Sequence, residues 1–194
     1  MEKRINTMML NNDYYAIRHA LAKNREDRVL SSTEKTGISH PLTPEGRVQM
    51  HKVAKESGIE FDRIITSSIL RTRQSAEIIQ EYCGGIIMTD ERLIEHQVGA
   101  FDGRSIDEWA NYWKENDVRY CASIQVETWT AVRERVGALL IESNFLYKGE
   151  NILFVSHELP ISMLLDFING IKRETHPRIY IPYSQFIHLN SVSP

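Results

Sequence analysis

Two histidines in this chain each follow directly on a short apolar run. Arg18-His19 closes the run 14–17, and Ser156-His157 closes the run 152–155. Both runs have the length and the aromatic or β-branched content of buried strands. Each histidine is therefore delivered to the C-terminal end of a strand, the edge at which open α/β sheets bind ligands. Arg71 opens a helical stretch after a third strand-like run, and Glu95 follows a fourth. In a parallel sheet all four segments come to one edge. Two arginines and two histidines gathered there form a cationic cluster, and a guanidinium presents planar, forked donors that suit phosphate oxygens. Helix N-termini near Arg71 and after His157 add backbone N–H groups aimed at the same place. The pattern predicts a single anion site.

The elements that must position these residues alternate along the chain. Strands are predicted at 14–17, 63–66, 86–88, 151–155 and 185–189, the last at the sheet edge. Thr43 can cap a helix, with Pro44 in its first turn and Glu45 at its positive end; Gly58 ends it. Ser67 or Ser68 is expected to cap the next helix, whose core side includes Ala76, Ile79 and Tyr82, and Gly84-Gly85 closes it. Ser105-Ile106-Asp107-Glu108 fits a capping box. It opens a short helix with Trp109, Tyr112 and Trp113. A longer helix carries Trp129, Val132, Val136, Leu139 and Leu140 at helical spacing, and Gly170 stops the last helix after Asn169. Residues 20–41 and 90–104 read as loops. This order predicts an α/β fold, a three-layer αβα sandwich with a mostly parallel central sheet, helices on both faces and a small helical cap at about 100–120.

With 194 residues, 42% of them hydrophobic, the chain can bury one sizeable core, and one domain over 1–194 is expected. A formal charge of −3 gives no bulk attraction for nucleic acid or anionic membrane. Any anion site must be built locally. Cys83 and Cys121 make neither a ligand spacing nor a disulfide framework, so no metal site is expected and a reducing cytoplasm is the simplest compartment. No stretch has signal-peptide length at the start, and no run approaches the roughly 20 apolar residues of a membrane span.

The motifs together resemble the histidine phosphatase superfamily, which includes the cofactor-dependent phosphoglycerate mutases. The family's Arg-His-Gly signature stands here as Arg18-His19-Ala20. Its Leu-Thr-x-x-Gly-x-x-Gln piece is Leu42, Thr43, Gly46 and Gln49, and its second-arginine run is Ser67, Arg71, Gln74, Ser75, Ala76 and Glu77. Leu93, Glu95, Gly99, Phe101 and Gly103 match the acidic segment, and Val155-Ser156-His157 the second histidine. All five occur in family order. The resemblance implies that His19 is a nucleophile forming a phosphohistidine. Arg18, Arg71 and His157 would hold the non-bridging phosphate oxygens, and Glu95 would be the general acid and base. Asn24, near the place of a family asparagine, is a candidate phosphate contact. No cofactor or metal is implied. Two departures stand out: Ala20 and Glu158 replace glycines that usually follow the two histidines, and Glu158 puts a negative charge beside the pocket.

The blander alternatives assign His40, His51, His96, His176 and His188 to surface or packing roles, and Trp109, Tyr112 and Trp113 to the packing of the cap. Three functions remain in play. The favoured one is a metal-independent phosphomonoester hydrolase acting on a small phosphorylated substrate or a phosphoprotein. A phosphoglycerate mutase-type phosphotransferase would share the same core residues, but the cap segment is net acidic, which makes a poor clamp for a phosphorylated acid. A non-catalytic phosphate- or phosphopeptide-binding module is the third, although a binder needs no general acid. An exposed edge strand would permit a homodimer.

Overall fold

The five apolar runs pair into one sheet in a computed structural model that describes residues 9–115, 125–171 and 179–191. The strands are β1 (Asp13–Arg18), β2 (Arg63–Thr66), β3 (Ile86–Thr89), β4 (Asn151–Ser156) and β5 (Phe186–His188), in the spatial order β3-β2-β4-β1-β5. The first four are parallel, and β5 runs antiparallel along β1 at the edge. The functional consequence lies in one register. Arg18 pairs with Ser156, so His19 and His157 leave adjacent strands side by side at the C-terminal edge.

Alternation along the strands divides the core in two, as a period of two requires. Tyr14, Ala16, Ile65, Ile152 and Phe154 face one side, where α6 (Trp129–Leu146) and α7 (Glu158–Ile168) cover them. Ile17, Ile64, Leu153 and Val155 face the other, under α3 (Pro44–Ser57) and α4 (Leu70–Cys83). Both central strands are buried on both faces, which explains why they read as continuous apolar runs. This is the three-layer αβα arrangement. The layers meet closely at two glycines. A Cβ on Gly137 of α6 would lie 2.4 Å from the Phe167 ring of α7, and one on Gly46 would lie 2.2 Å from the Leu21 carbonyl oxygen.

The capping chemistry of α3 follows its sequence. The Thr43 hydroxyl accepts from the Gly46 N–H at 3.0 Å, and Gly58 ends the helix in the left-handed region at φ 64°. For α4 the expected serine cap is corrected. The N-cap is Ile69, without a side-chain cap, because the Ser67 hydroxyl is engaged by His157 and Thr72 instead. Tyr82 likewise leaves the core face. It is 45% exposed and stands edge-on to His51, while Ile78, Ile79 and Cys83 fill the interior. The loop after β1 holds two single-turn helices, α1 (Lys23–Glu26) and α2 (Glu34–Gly37). The cap helix α5 (Ile106–Glu115) forms as expected, and residues 116–120 of the cap excursion lie outside the described residues. No helix among those residues is long and apolar enough to cross a membrane.

Candidate active site

The C-terminal edge of the sheet opens into a cavity of about 260 Å³. Arg18, His19, Asn24, Arg71 and Glu95 line it, together with Glu158 and Tyr183. His157 is fully buried directly behind them, its ring centroid 5.1 Å from that of His19. All six candidate residues named from the sequence therefore converge on one place.

The protonation state of His19 follows from its partners. Its Nδ1 lies 2.7 Å from the Ala20 carbonyl oxygen, an atom that can only accept, so Nδ1 carries the proton. Nε2 is left with its lone pair, which accepts from Arg71 Nε at 3.0 Å. Burial, then Arg71 and Arg18, holds this imidazole well below the ordinary histidine value. His19 is a neutral ring with a fixed tautomer. Replacing the usual glycine by Ala20 costs no space: the Ala20 methyl packs in the core, and its N–H donates to the Ser75 hydroxyl at 3.2 Å.

Arg71 is the hub of the site. Besides His19, its Nη2 donates to the Ser31 carbonyl at 2.8 Å and to His157 Nδ1 at 3.1 Å, and its Nη1 to the Ser31 hydroxyl at 3.3 Å. Burial pushes the guanidinium down to about 10, still a cation at neutral pH. Because Arg71 can only donate, His157 Nδ1 accepts. The His157 proton therefore sits on Nε2, donated to the Ser67 hydroxyl at 2.8 Å. Burial again comes first, followed by Arg71, in holding His157 well below the usual histidine value. Glu95 reaches to 4.0 Å from His157 Nδ1 with Oε2, and its Oε1 accepts from the His96 N–H at 2.9 Å.

Arg18 is held by groups that sequence spacing did not single out. Its Nη1 donates to the Ile181 carbonyl at 2.8 Å and pairs with Glu158 Oε2 at 2.9 Å; its Nη2 donates to the Tyr183 hydroxyl at 3.1 Å. The same guanidinium lies 3.9 Å from the centre of the Tyr183 ring. Its Nε is buried and has no hydrogen-bond partner among the described residues. Glu158 is thus the counter-charge of Arg18, and it stands 3.9 Å from Arg25 as well. Asn24 gives one amide N–H to the Val29 carbonyl at 3.4 Å, and its Oδ1 is buried without a partner among the described residues. The second amide N–H of Asn24 is a further donor of this side chain.

Ser31, Arg25, Tyr183, Gln97 and Asp102 complete the surroundings. Asp102 accepts from the Ser32 N–H (2.7 Å) and from the hydroxyls of Ser32, Thr33 and Thr36. Gln97 donates to the Ser32 carbonyl at 2.6 Å and to the Glu95 carbonyl at 2.9 Å. The peptides flanking Ser32 are thereby clamped, and the adjoining Ser31 grips Arg71. His96 lines the cavity beside Glu95, and its Nε2 lies 2.7 Å from the Glu127 carbonyl.

A family model described as the histidine phosphatase superfamily (branch 1) matches residues 14–191. The chain belongs to the histidine phosphatase superfamily. Within this superfamily it is 33% identical over 167 residues to the Escherichia coli protein named "Probable phosphoglycerate mutase GpmB", covering 81% of this chain and 74% of that one. Solved structures share the fold. YhfR of Bacillus stearothermophilus superposes with a TM-score of 0.74 at 23% identity, over 87% of each chain. The alpha-ribazole phosphatase of Shigella flexneri gives 0.70 at 22% identity, over 90% of this chain and 88% of that one. As a histidine phosphatase superfamily enzyme, the protein is a phosphatase or a mutase.

Proposed function

We propose that the protein is a phosphomonoester hydrolase that works through a phosphohistidine on His19, with Glu95 as general acid and base. The observation that carries this reading is the His19 tautomer: a buried, neutral imidazole whose Nε2 lone pair is turned toward Arg71 in the cavity wall. In the first step Nε2 attacks phosphorus, the ester P–O bond breaks, and Glu95 gives its proton to the leaving oxygen. In the second, Glu95 takes a proton from water, the hydroxide attacks phosphorus, and the N–P bond breaks. Arg71 Nε–H leaves the His19 lone pair for a phosphate oxygen as the nucleophile engages. Arg18 Nε–H supplies a second donor, and the second amide N–H of Asn24 a third. Burial, then Arg71, keeps His157 neutral in the free protein; the phosphate charge offsets that cation, so that His157 can take up a proton at Nδ1 and donate to a third oxygen. Such placed donors are worth on the order of 3 kcal/mol each in the transition state.

A cavity of about 260 Å³ favours a small phosphorylated substrate over a phosphoprotein segment. The mutase reading has its own support in the phosphoglycerate mutase name of the 33% identical relative. Hydrolysis of p-nitrophenyl phosphate in the presence of EDTA, by the protein and by His19→Ala, tests the proposal. Turnover that survives chelation and is lost in the variant is expected. Equal turnover by both proteins would overturn it, and interconversion of phosphoglycerates without net phosphate release would establish the mutase.

A further inference from the structure

The cavity lining holds two chemically different sets of residues. One comprises His19, Arg18 and Arg71, each no more than 3% exposed. The other is apolar: Val29 and Leu30 from the loop after β1, Ile106 and Trp109 from α5, and Leu159 from the first turn of α7. This second set is built rather than incidental. Val29 bridges to Ser105, Leu30 N–H donates to the Arg104 carbonyl at 2.8 Å, and Ile106 N–H to the Arg28 carbonyl at 2.9 Å. Trp109 is backed by Phe101, ring centroids 5.2 Å apart, and by His96 at 6.1 Å.

Charge along the lining leaves little for a second anion. Among the described residues it carries the guanidiniums of Arg18, Arg25 and Arg71 against the carboxylates of Glu95 and Glu158. Glu158 is shared by Arg18 and Arg25, and Arg25 Nε is spent on the Tyr183 hydroxyl at 3.0 Å. With Arg18 and Arg71 on the phosphoryl group, Arg25 is the lining cation left among the described residues, and it is already shared by Glu158 and the Tyr183 hydroxyl.

We propose that the site selects phosphomonoesters whose leaving group is uncharged and carries an aromatic ring or an aliphatic chain, seated against Trp109, Ile106 and Leu159. This rests on reading the site as a phosphomonoesterase, and it deepens that reading. The test compares benzyl phosphate, glycerol 1-phosphate and phosphoglycolate, all esters of primary alcohols, by kcat/KM. Benzyl phosphate should lead glycerol 1-phosphate by about tenfold or more, with phosphoglycolate last. Trp109→Ala should lower the benzyl phosphate value about tenfold and the glycerol 1-phosphate value less than about threefold. Equal rates, or a preference for phosphoglycolate, would overturn the proposal while leaving the hydrolase reading intact. Calorimetry with benzylphosphonate and phosphonoacetate separates the two claims. Tighter benzylphosphonate binding without turnover of any ester would uphold the apolar subsite and remove the hydrolase. Tighter phosphonoacetate binding would overturn the subsite.

Discussion

Glu158→Gln should make the protein less stable and yet a better binder of phosphate. In the free protein Glu158 lies 2.9 Å from Arg18, with the two side chains 7% and 4% exposed. Removing one partner of a buried pair costs about 3–5 kcal/mol, and glutamine keeps the hydrogen bond, so about 3 kcal/mol is expected. For a chain of 194 residues that lowers Tm by roughly 6–12 °C. The bound phosphate works the other way. A phosphoryl oxygen on the far side of the same guanidinium stands on the order of 6 Å from the carboxylate, where like unit charges repel by about 3 kcal/mol at an effective dielectric near 20. Solvent screening and relaxation reduce this, and a gain of about tenfold in affinity for orthovanadate or phosphate remains. Saturating vanadate should accordingly narrow the Tm gap between the two proteins, since a ligand stabilises by its affinity for the native state. The assay is thermal unfolding with and without vanadate, paired with the inhibition constant of vanadate. Parallel loss of stability and of vanadate affinity would refute the reasoning: Glu158 would then hold Arg18 in its binding geometry instead of competing for it.

Three further outcomes are expected. His19, His157 and His96 are all held below the ordinary histidine value, first by burial. Each is neutral in the fold and protonated in the unfolded chain below about pH 6.5, so stability is lost as pH falls from there through the folded values, by up to about 1.4 kcal/mol per unit per histidine. A Tm that stays flat from about pH 7.5 to about pH 5 would contradict this. Asp102→Asn should loosen the Ser31 grip on Arg71 and reduce kcat by about tenfold or more with a small Tm change, checked by kinetics beside calorimetry. Gly137→Ala, whose new methyl meets the Phe167 ring at 2.4 Å, should cost about 1–3 kcal/mol in denaturant unfolding while leaving kcat of the folded enzyme unchanged.

The parts of this molecule legible in the sequence are those governed by local pattern. Buried on both faces, β1 and β4 appear as unbroken apolar runs, and the histidines at their ends identify the binding edge. Thr43, Pro44 and Gly58 mark α3 through backbone chemistry that acts within one turn. The residues that tune the site escape such reading because their partners are distant in sequence. Tyr183 meets Arg18 across 165 positions, and Ser31 meets Arg71 across 40. Ser67 shows how tertiary structure overrides a local rule: its hydroxyl, a good cap by type, goes to His157 and the Thr72 side chain instead of a backbone N–H in the first turn of α4. Glu158 could be seen as a charge beside the pocket, but only the fold reveals that it neutralises Arg18.

The most direct test of the central claim is to trap the intermediate. The protein would be mixed with a 32P-labelled phosphomonoester, quenched in alkali, in which phosphohistidine survives, and digested for peptide mapping. Alkali-stable, acid-labile label on the peptide bearing His19, absent from His19→Ala, is the expected result. Label on another residue, or continued turnover by His19→Ala without any labelled histidine, would contradict the account.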